Sequence, residues 1–405
     1  MDPRAFVGEM GLAALGIAPL SPLAPVGFKP PDASYHVADS LSIDRFWEHV
    51  TSIAPGSSGE KGESAFRATM RVARGDLARK SADQFPSRAG RALDGRAGDG
   101  LGHAAGFSRV VADDTGGAPL RGFIHPPLAE HPIVLLVHGL FDSKESRYIR
   151  IVAESFAAGG FGVLVPDMRW HGELLSADLP ATLGIVEGAD LMAWGAWLAR
   201  DDPSPIGLVG FSLGALDVIH ALARPGGSEI FRAGGIVFSP PANLERTRRL
   251  LDVPASLFEL GMEGFLIGFF QQALAQRMRD LIPADELALR ASSPGLFTRF
   301  LEWLAPRMSL TGPEELLRLA DPKAKLTDCR RPLLMVTNAN DPIYRSPTAP
   351  DLAAASAENA WVRAIETPCG GHIGQLGCYP EWCAGLFGRF FSRSSAVERT
   401  AARSS

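Results

Sequence analysis

The segment Pro205 to Gly214 constrains this chain more than any other. It opens with a short apolar run, Ile206 to Val209, suited to a buried strand. It then passes through Gly210-Phe211-Ser212-Leu213-Gly214 into a helix-compatible stretch, Ala215 to Arg224. With 43 glycines in 405 residues, a G-x-S-x-G pattern alone carries little weight. Between a strand and a helix it carries much more. The turn is tight enough to strain the serine and expose its hydroxyl, and glycine on either side avoids a clash. The helix that follows aims its N-terminal amides and dipole at the same spot, where an oxyanion would form.

An alkyl hydroxyl is a weak nucleophile at neutral pH and needs a base. In a strand–elbow–helix architecture the order is nucleophile, acid, histidine. Of nine histidines, only His220 and His372 follow Ser212. His220 lies along the elbow helix, about 12 Å from Ser212 at 1.5 Å per residue, and cannot reach back. His372 remains, in the glycine-rich loop Cys369-Gly370-Gly371-His372. The acid is expected just past the strand Leu333 to Thr337, where Asp341 is the first carboxylate. Its part is to hold the His372 tautomer and stabilise the imidazolium. Asp328 and Asp351 sit at poorer positions. Two backbone donors complete such a site: the amide of Leu213, and one from the loop His138-Gly139-Leu140-Phe141 after the strand Ile133 to Val137. Leu140 is the first choice and Phe141 the second. His138 reads as a brace for that loop. Asp167-Met168-Arg169-Trp170-His171-Gly172 reads as structural bracing rather than a metal site, with Asp167 and Arg169 paired locally.

Around these residues the chain alternates strands and helices. A hairpin of Ser108 to Ala112 and Leu120 to Ile124 is followed by strands at Ile133–Val137, Phe161–Val165, Ile206–Val209, Gly235–Phe238, Leu333–Thr337 and Trp361–Ile365. Helices are expected at Tyr148–Ala158, Glu187–Ala199 and Glu381–Phe391. The rhythm implies a mostly parallel sheet covered on both faces. Roughly 90 residues of helical pattern interrupt it between Phe238 and Leu333, too long for a plain loop. They leave the sheet at the edge that exposes the serine, so residues 242–330 are expected to cap the site. Their apolar run Phe265 to Phe270 suggests an acyl-chain pocket. Phe269 and Phe270, together with Phe141 and Phe211, are the substrate-contacting candidates. The α/β core thus comprises 107–241 and 331–391. Residues 1–106 read as a helical or irregular extension and linker, with short helices at Ser42–Ser52 and Glu63–Ala78 and a proline-rich stretch at Pro19–Pro31. Residues 392–405 read as a polar, disordered tail.

Composition excludes several classes. A net charge of −5 with no long basic run gives no footing for nucleic acid. No apolar run reaches the roughly 18 residues needed to span a bilayer, and the Gly11–Leu20 stretch lacks the flanks of a signal peptide. Four cysteines, all beyond residue 328, make no secreted disulfide framework. Cys369, Cys378 and Cys383 lie near His372 but match no zinc spacing, and read as free thiols. The chain reads as cytoplasmic, a location compatible with peripheral membrane contact. No metal or organic cofactor is expected.

Taken together, these motifs resemble the α/β-hydrolase superfamily, and more narrowly the YheT-like (ABHD-type) esterase branch. The matching pieces are His138-Gly139-Leu140, Tyr148-Ile149, Asp167 to Gly172, Gly210 to Gly214, Asn338 to Ile343, Gly370-Gly371-His372 and Trp382. The resemblance spans about Phe107 to Phe391. Asp167 to Gly172 departs from the Asn-x-Arg-Gly-Cys-Gly form usual in that branch. The resemblance implies hydrolysis of a carboxylic ester or related acyl bond, without metal or organic cofactor, and the apolar run Phe265 to Phe270 adds the expectation of a small apolar ester as substrate. The residues themselves imply attack by Ser212, an acyl-enzyme, and water activated by His372. A serine at the elbow argues against dehalogenase and epoxide-hydrolase chemistry, which need an aspartate there. Two rivals stand: acyl transfer to an alcohol by the same triad, and a non-catalytic binding protein on this fold.

Overall fold

The computed structural model describes residues 43–52, 101–104, 106–128, 131–252, 257–283, 286, 295–341, 343, 354, 356–368, 370–378 and 382–391. The expected helix at Glu63–Ala78, the proline-rich stretch, most of the linker and the C-terminal tail lie outside the described residues.

In chain order the elements are α1 (Ile43–Thr51), β1 (Ser108–Asp113), β2 (Pro119–His125), β3 (Ile133–Val137), α2 (Arg147–Ala158), β4 (Gly162–Pro166), α3 (Glu187–Leu198), β5 (Ile206–Phe211), α4 (Leu213–Ala223) and β6 (Gly235–Phe238). The helical interval follows with α5 (Leu244–Asp252), α6 (Leu257–Leu281), α7 (Leu296–Arg307), α8 (Pro313–Ala320) and α9 (Pro322–Leu326). The chain then returns through β7 (Leu333–Asn338) and β8 (Val362–Thr367), and residues 382–391 are helical.

The eight strands form one sheet in the order β1-β2-β4-β3-β5-β6-β7-β8. β1 and β2 are an antiparallel hairpin, and β2 pairs antiparallel with β4. From β4 to β8 every pairing is parallel. The central strands are continuous apolar runs because helices cover both faces. β3, β5 and β7 are buried along their whole length.

The two-residue period of a strand sorts these side chains into two cores. Leu135, Val137, Leu208, Val237 and Met335 face the layer that holds α3, α4 and the interval helices. Val134, Leu136, Val209, Phe211, Ile236, Phe238 and Val336 face the opposite layer, with Tyr148 and Phe156 of α2 and Phe387 and Phe391 beyond. α1 joins this second layer: Phe46, Trp47 and Val50 recur at helical spacing and are buried. Trp47 Nε1 donates to the Ala360 carbonyl at 2.8 Å. The sheet thus presents the carboxyl ends of its parallel strands at one edge. β3, β5, β7 and β8 all end there, and each is followed by one of the residues singled out above.

Candidate active site

Ser212 occupies a backbone conformation that a side chain rarely adopts, φ 52° and ψ −114°. The glycines around it explain how the turn is reached. A Cβ at Gly210 would lie 2.4 Å from the Gly214 carbonyl oxygen, and one at Gly214 would lie 2.3 Å from the His138 oxygen. Only hydrogen fits at either position. The Ser212 amide donates to Phe238 O at 2.9 Å, which ties the turn to the neighbouring strand.

His372 and Asp341 reach the serine from two other strand ends. His372 Nε2 lies 2.7 Å from Ser212 Oγ, and Nδ1 lies 3.0 Å from Asp341 Oδ2. Both side chains are buried, while Ser212 keeps partial exposure. The Asp341 carboxylate also accepts the Ile343 amide at 2.8 Å through Oδ1. The His372 loop is fixed on every side. Asn338 Nδ2 donates to Gly371 O at 2.7 Å, and Asn340 Oδ1 accepts the Gly371 amide at 2.9 Å. Ser239 Oγ donates to the His372 carbonyl. Gly370 has φ 149°, and a Cβ there would run into the Asn338 side chain at 2.4 Å. The three residues predicted to act together therefore form one hydrogen-bonded chain.

Leu213 and Leu140 border the cavity next to Ser212. Leu213 opens α4, so its amide is one of the helix N–H groups with no partner within the helix. The Leu140 amide forms no hydrogen bond to a described residue. The Phe141 amide is already committed, donating to His171 Nε2 at 3.0 Å. Of the two donors weighed for this loop, Leu140 is the one left available.

The supporting loops are braced by neutral histidines. His138 Nε2 accepts the Met168 amide at 3.2 Å, and its Nδ1 lies 2.9 Å from Gly139 O. His171 Nε2 accepts from Phe141, so Nδ1 carries the proton and donates to Arg169 O at 2.7 Å. Tyr148 hydroxyl accepts the Gly139 amide at 2.9 Å and contacts Asp142 at 3.1 Å. The expected local pair of Asp167 and Arg169 is corrected by the structure. Asp167 accepts the Lys144 amide at 2.9 Å and forms an ion pair with the Lys144 ammonium. Arg169 turns the other way, to Asp190 at 2.6 Å and to Asp114. The two side chains leave the turn in different directions, and each meets a charge distant in sequence. Among the described residues no cluster of His, Cys, Asp and Glu is arranged to hold a metal ion. Cys369 and the Cys378 side chain lie outside the described residues, and Cys383 is buried in the second core.

A cavity opens beside Ser212 and His372. Its walls are overwhelmingly apolar. Leu216 of α4 faces Leu244 and Leu251 of α5, Ile267, Phe270 and Leu274 of α6, and Phe297 and Phe300 of α7. Three helices of the interval therefore share a wall with the serine. Phe270 is the expected contact residue that lines it; its ring lies 6.5 Å from that of His372. Phe141 sits one layer back, 6.2 Å from Phe270. Phe211 does not reach the cavity. It shares the parity of Val209 along β5, so it points into the opposite core and stacks on Phe238 at 5.1 Å. The Phe269 side chain lies outside the described residues.

The model of the alpha/beta hydrolase family matches residues 134–385. Solved structures are similar to the chain at low identity. An esterase of Pyrococcus furiosus is 20% identical with a TM-score of 0.48, over 71% of this chain and 92% of its own. An acylaminoacyl peptidase of Pyrococcus horikoshii is 16% identical with a TM-score of 0.49, over 71% of this chain and 41% of its own. A puromycin-hydrolyzing peptidase of Mycobacterium tuberculosis is 16% identical with a TM-score of 0.47, over 70% and 38%. No curated protein sequence matches the chain. No helix among the described residues is long and apolar enough to cross a membrane. The family match takes in the strands from β3 onward and every one of the residues that converge on Ser212, and the chain belongs to the alpha/beta hydrolase family.

Proposed function

We propose that this protein is a serine hydrolase that cleaves a carboxylic ester, or a related acyl bond, of an apolar substrate. The observation that carries the reading is the placement of His372 Nε2 at 2.7 Å from Ser212 Oγ beside an apolar cavity. His372 Nε2 takes the Ser212 proton as Oγ attacks the acyl carbon. Asp341 accepts Nδ1–H, holds that tautomer and stabilises the imidazolium. The Leu213 and Leu140 amides receive the oxyanion. Collapse breaks the bond to the alcohol, which leaves with the proton from Nε2. Water then enters, gives its proton to Nε2 and attacks the acyl-enzyme. The acid leaves, and the proton returns to Ser212. No step needs a metal or an organic cofactor.

Residues 242–330 act here as a cap whose helices supply the acyl-binding wall. The narrower likeness to YheT-like esterases rests on the motif residues alone, and the cytoplasmic assignment on cysteine usage and composition. A second reading, acyl transfer to an alcohol, draws support from the same apolar wall, which disfavours water. Each buried methylene gains about 0.8 kcal/mol, so kcat/KM should rise by up to about fourfold per carbon until the cavity is full. The test is a series of nitrophenyl esters from acetate to decanoate, with Ser212→Ala as control. A profile flat from acetate onward would sink the apolar-acyl reading. Transfer products that dominate over free acid when an alcohol is added would favour the second reading.

A further inference from the structure

Helix α6 brings a single cation against the loops that shape the site. Its residues Ile267, Phe270 and Leu274 line the cavity at spacings of three and four, and the next position along that stripe is Arg277. The Arg277 side chain is half-buried and touches two turns at once. Its Nη1 donates to the Trp170 carbonyl. Its guanidinium carbon lies 5.5 Å from the Phe141 ring centroid and 5.7 Å from that of Trp170.

Both turns are strained. Phe141 has φ 65° and Trp170 has φ 67°, in the left-handed region that a side chain disfavours. Such residues persist only where their surroundings hold them. The turns are linked to each other, since the Phe141 amide donates to His171 Nε2. The first of them contains Leu140 and runs close to the serine; a Cβ on Gly139 would lie 3.5 Å from Ser212 Cβ. Arg277 adds the contact from outside, through one carbonyl and two ring faces. Burial pushes its pKa down to about 10, with a smaller upward pull from Asp280, so it remains a cation at neutral pH. Two aromatic faces and a carbonyl are what a poorly hydrated guanidinium tolerates best.

We propose that Arg277 is a positioning residue: from α6 it holds the Leu140–Phe141 and Trp170–His171 turns in the conformation that leaves the Leu140 amide free beside Ser212. The donor on this side of the oxyanion site is then set only when α6 is docked. The inference rests on the serine-hydrolase reading above. Arg277 itself touches no reacting atom.

The test compares wild type with Arg277→Met, which keeps the apolar stem and removes the charge and all donors, and with Arg277→Lys. Fluorophosphonate labelling of the wild type checks the underlying reading first. Arg277→Met should lower kcat about 10- to 100-fold, a fraction of what losing a whole oxyanion donor costs, with KM changed less than about threefold. A trifluoromethyl ketone, whose adduct carries the oxyanion, should lose affinity by the same factor as kcat/KM. Binding of the product carboxylate should hardly move. Arg277→Lys should recover most of the activity, because an ammonium can still sit on the rings and reach the Trp170 carbonyl. If thermal melts show Arg277→Met unfolded, Arg277→Gln carries the same comparison. Unchanged ketone affinity and kcat, with only a lowered melting temperature, would overturn the proposal while leaving the hydrolase reading intact. So would a KM rise confined to substrates bearing a carboxylate, which would make Arg277 a substrate ligand. A wild type that neither labels nor turns over esters would overturn both.

Discussion

The hydroxyl of Ser239 donates to the main-chain carbonyl of His372, joining the end of β6 to a loop 133 positions later. Ser239 is itself strained, with φ 48°, and its amide is held by the Val336 carbonyl at 2.8 Å. The strain is therefore placed where it steadies the histidine that faces Ser212.

Ser239→Ala should remove this hydrogen bond to the His372 carbonyl, at a cost of about 0.5–1.5 kcal/mol. Looser placement of the imidazole should also lower kcat about three- to tenfold. Denaturant melts and steady-state kinetics on the same preparation check both parts. An unchanged kcat with lowered stability would reduce the contact to a purely structural one.

His372→Ala should lower kcat about 10⁵- to 10⁶-fold, as Ser212→Ala does, and the double variant should lose little more. Asp341→Asn should cost up to about 10⁴-fold, through loss of the correct tautomer. Losses that add in the double variant would mean that the residues do not work as a unit.

Phe270 touches both the cavity and the two sides of the site, with ring neighbours in His372 and Phe141. Phe270→Ala should shift the preferred acyl chain longer by about two carbons, as the removed ring opens space for methylenes. Chain-length profiles of the two proteins measure the shift. A stability loss with an unshifted optimum would place Phe270 in the helical core alone.

His220 supplies a pH test that does not touch the reaction. Burial lowers its pKa to about 4, and it contacts the Ala320 carbonyl at 3.2 Å. The unfolded chain, with an ordinary histidine pKa of about 6.5, binds the proton more readily across that window. Its contribution to stability is therefore full above pH 6.5 and falls as the pH drops toward 4, by about 1.4 kcal/mol per unit. Denaturant melts of wild type and His220→Gln between pH 7 and 4 should differ in slope. Identical slopes would show that His220 is not a source of acid sensitivity.

Much of this arrangement was legible in the sequence because it is carried by local patterns. The Gly210–Gly214 turn needs no distant residue to announce itself, and chain order selects His372 once helix geometry removes His220. The strand runs were found because burial on both faces makes them continuously apolar. Their limits differ by one or two residues because the ladder pairing continues: β5 to Phe211, opposite Phe238, and β7 to Asn338, opposite Thr367. What escaped depends on contacts between distant segments. The partner of Asp167 is Lys144 and that of Arg169 is Asp190, and proximity in sequence favoured neither pairing. Nothing local marked Ser239 or Arg277, since a serine after a strand and an arginine on a helix are ordinary. Phe211 lies away from the cavity because strand parity puts it beside Val209 on the other face.

Intact-protein and peptide mass spectrometry after reaction with a fluorophosphonate tests Ser212 as the nucleophile most directly. One adduct is expected, located on Ser212, absent in Ser212→Ala and forming in step with the loss of ester turnover. An adduct on another residue, or ester hydrolysis that survives in Ser212→Ala at the wild-type rate, would contradict it.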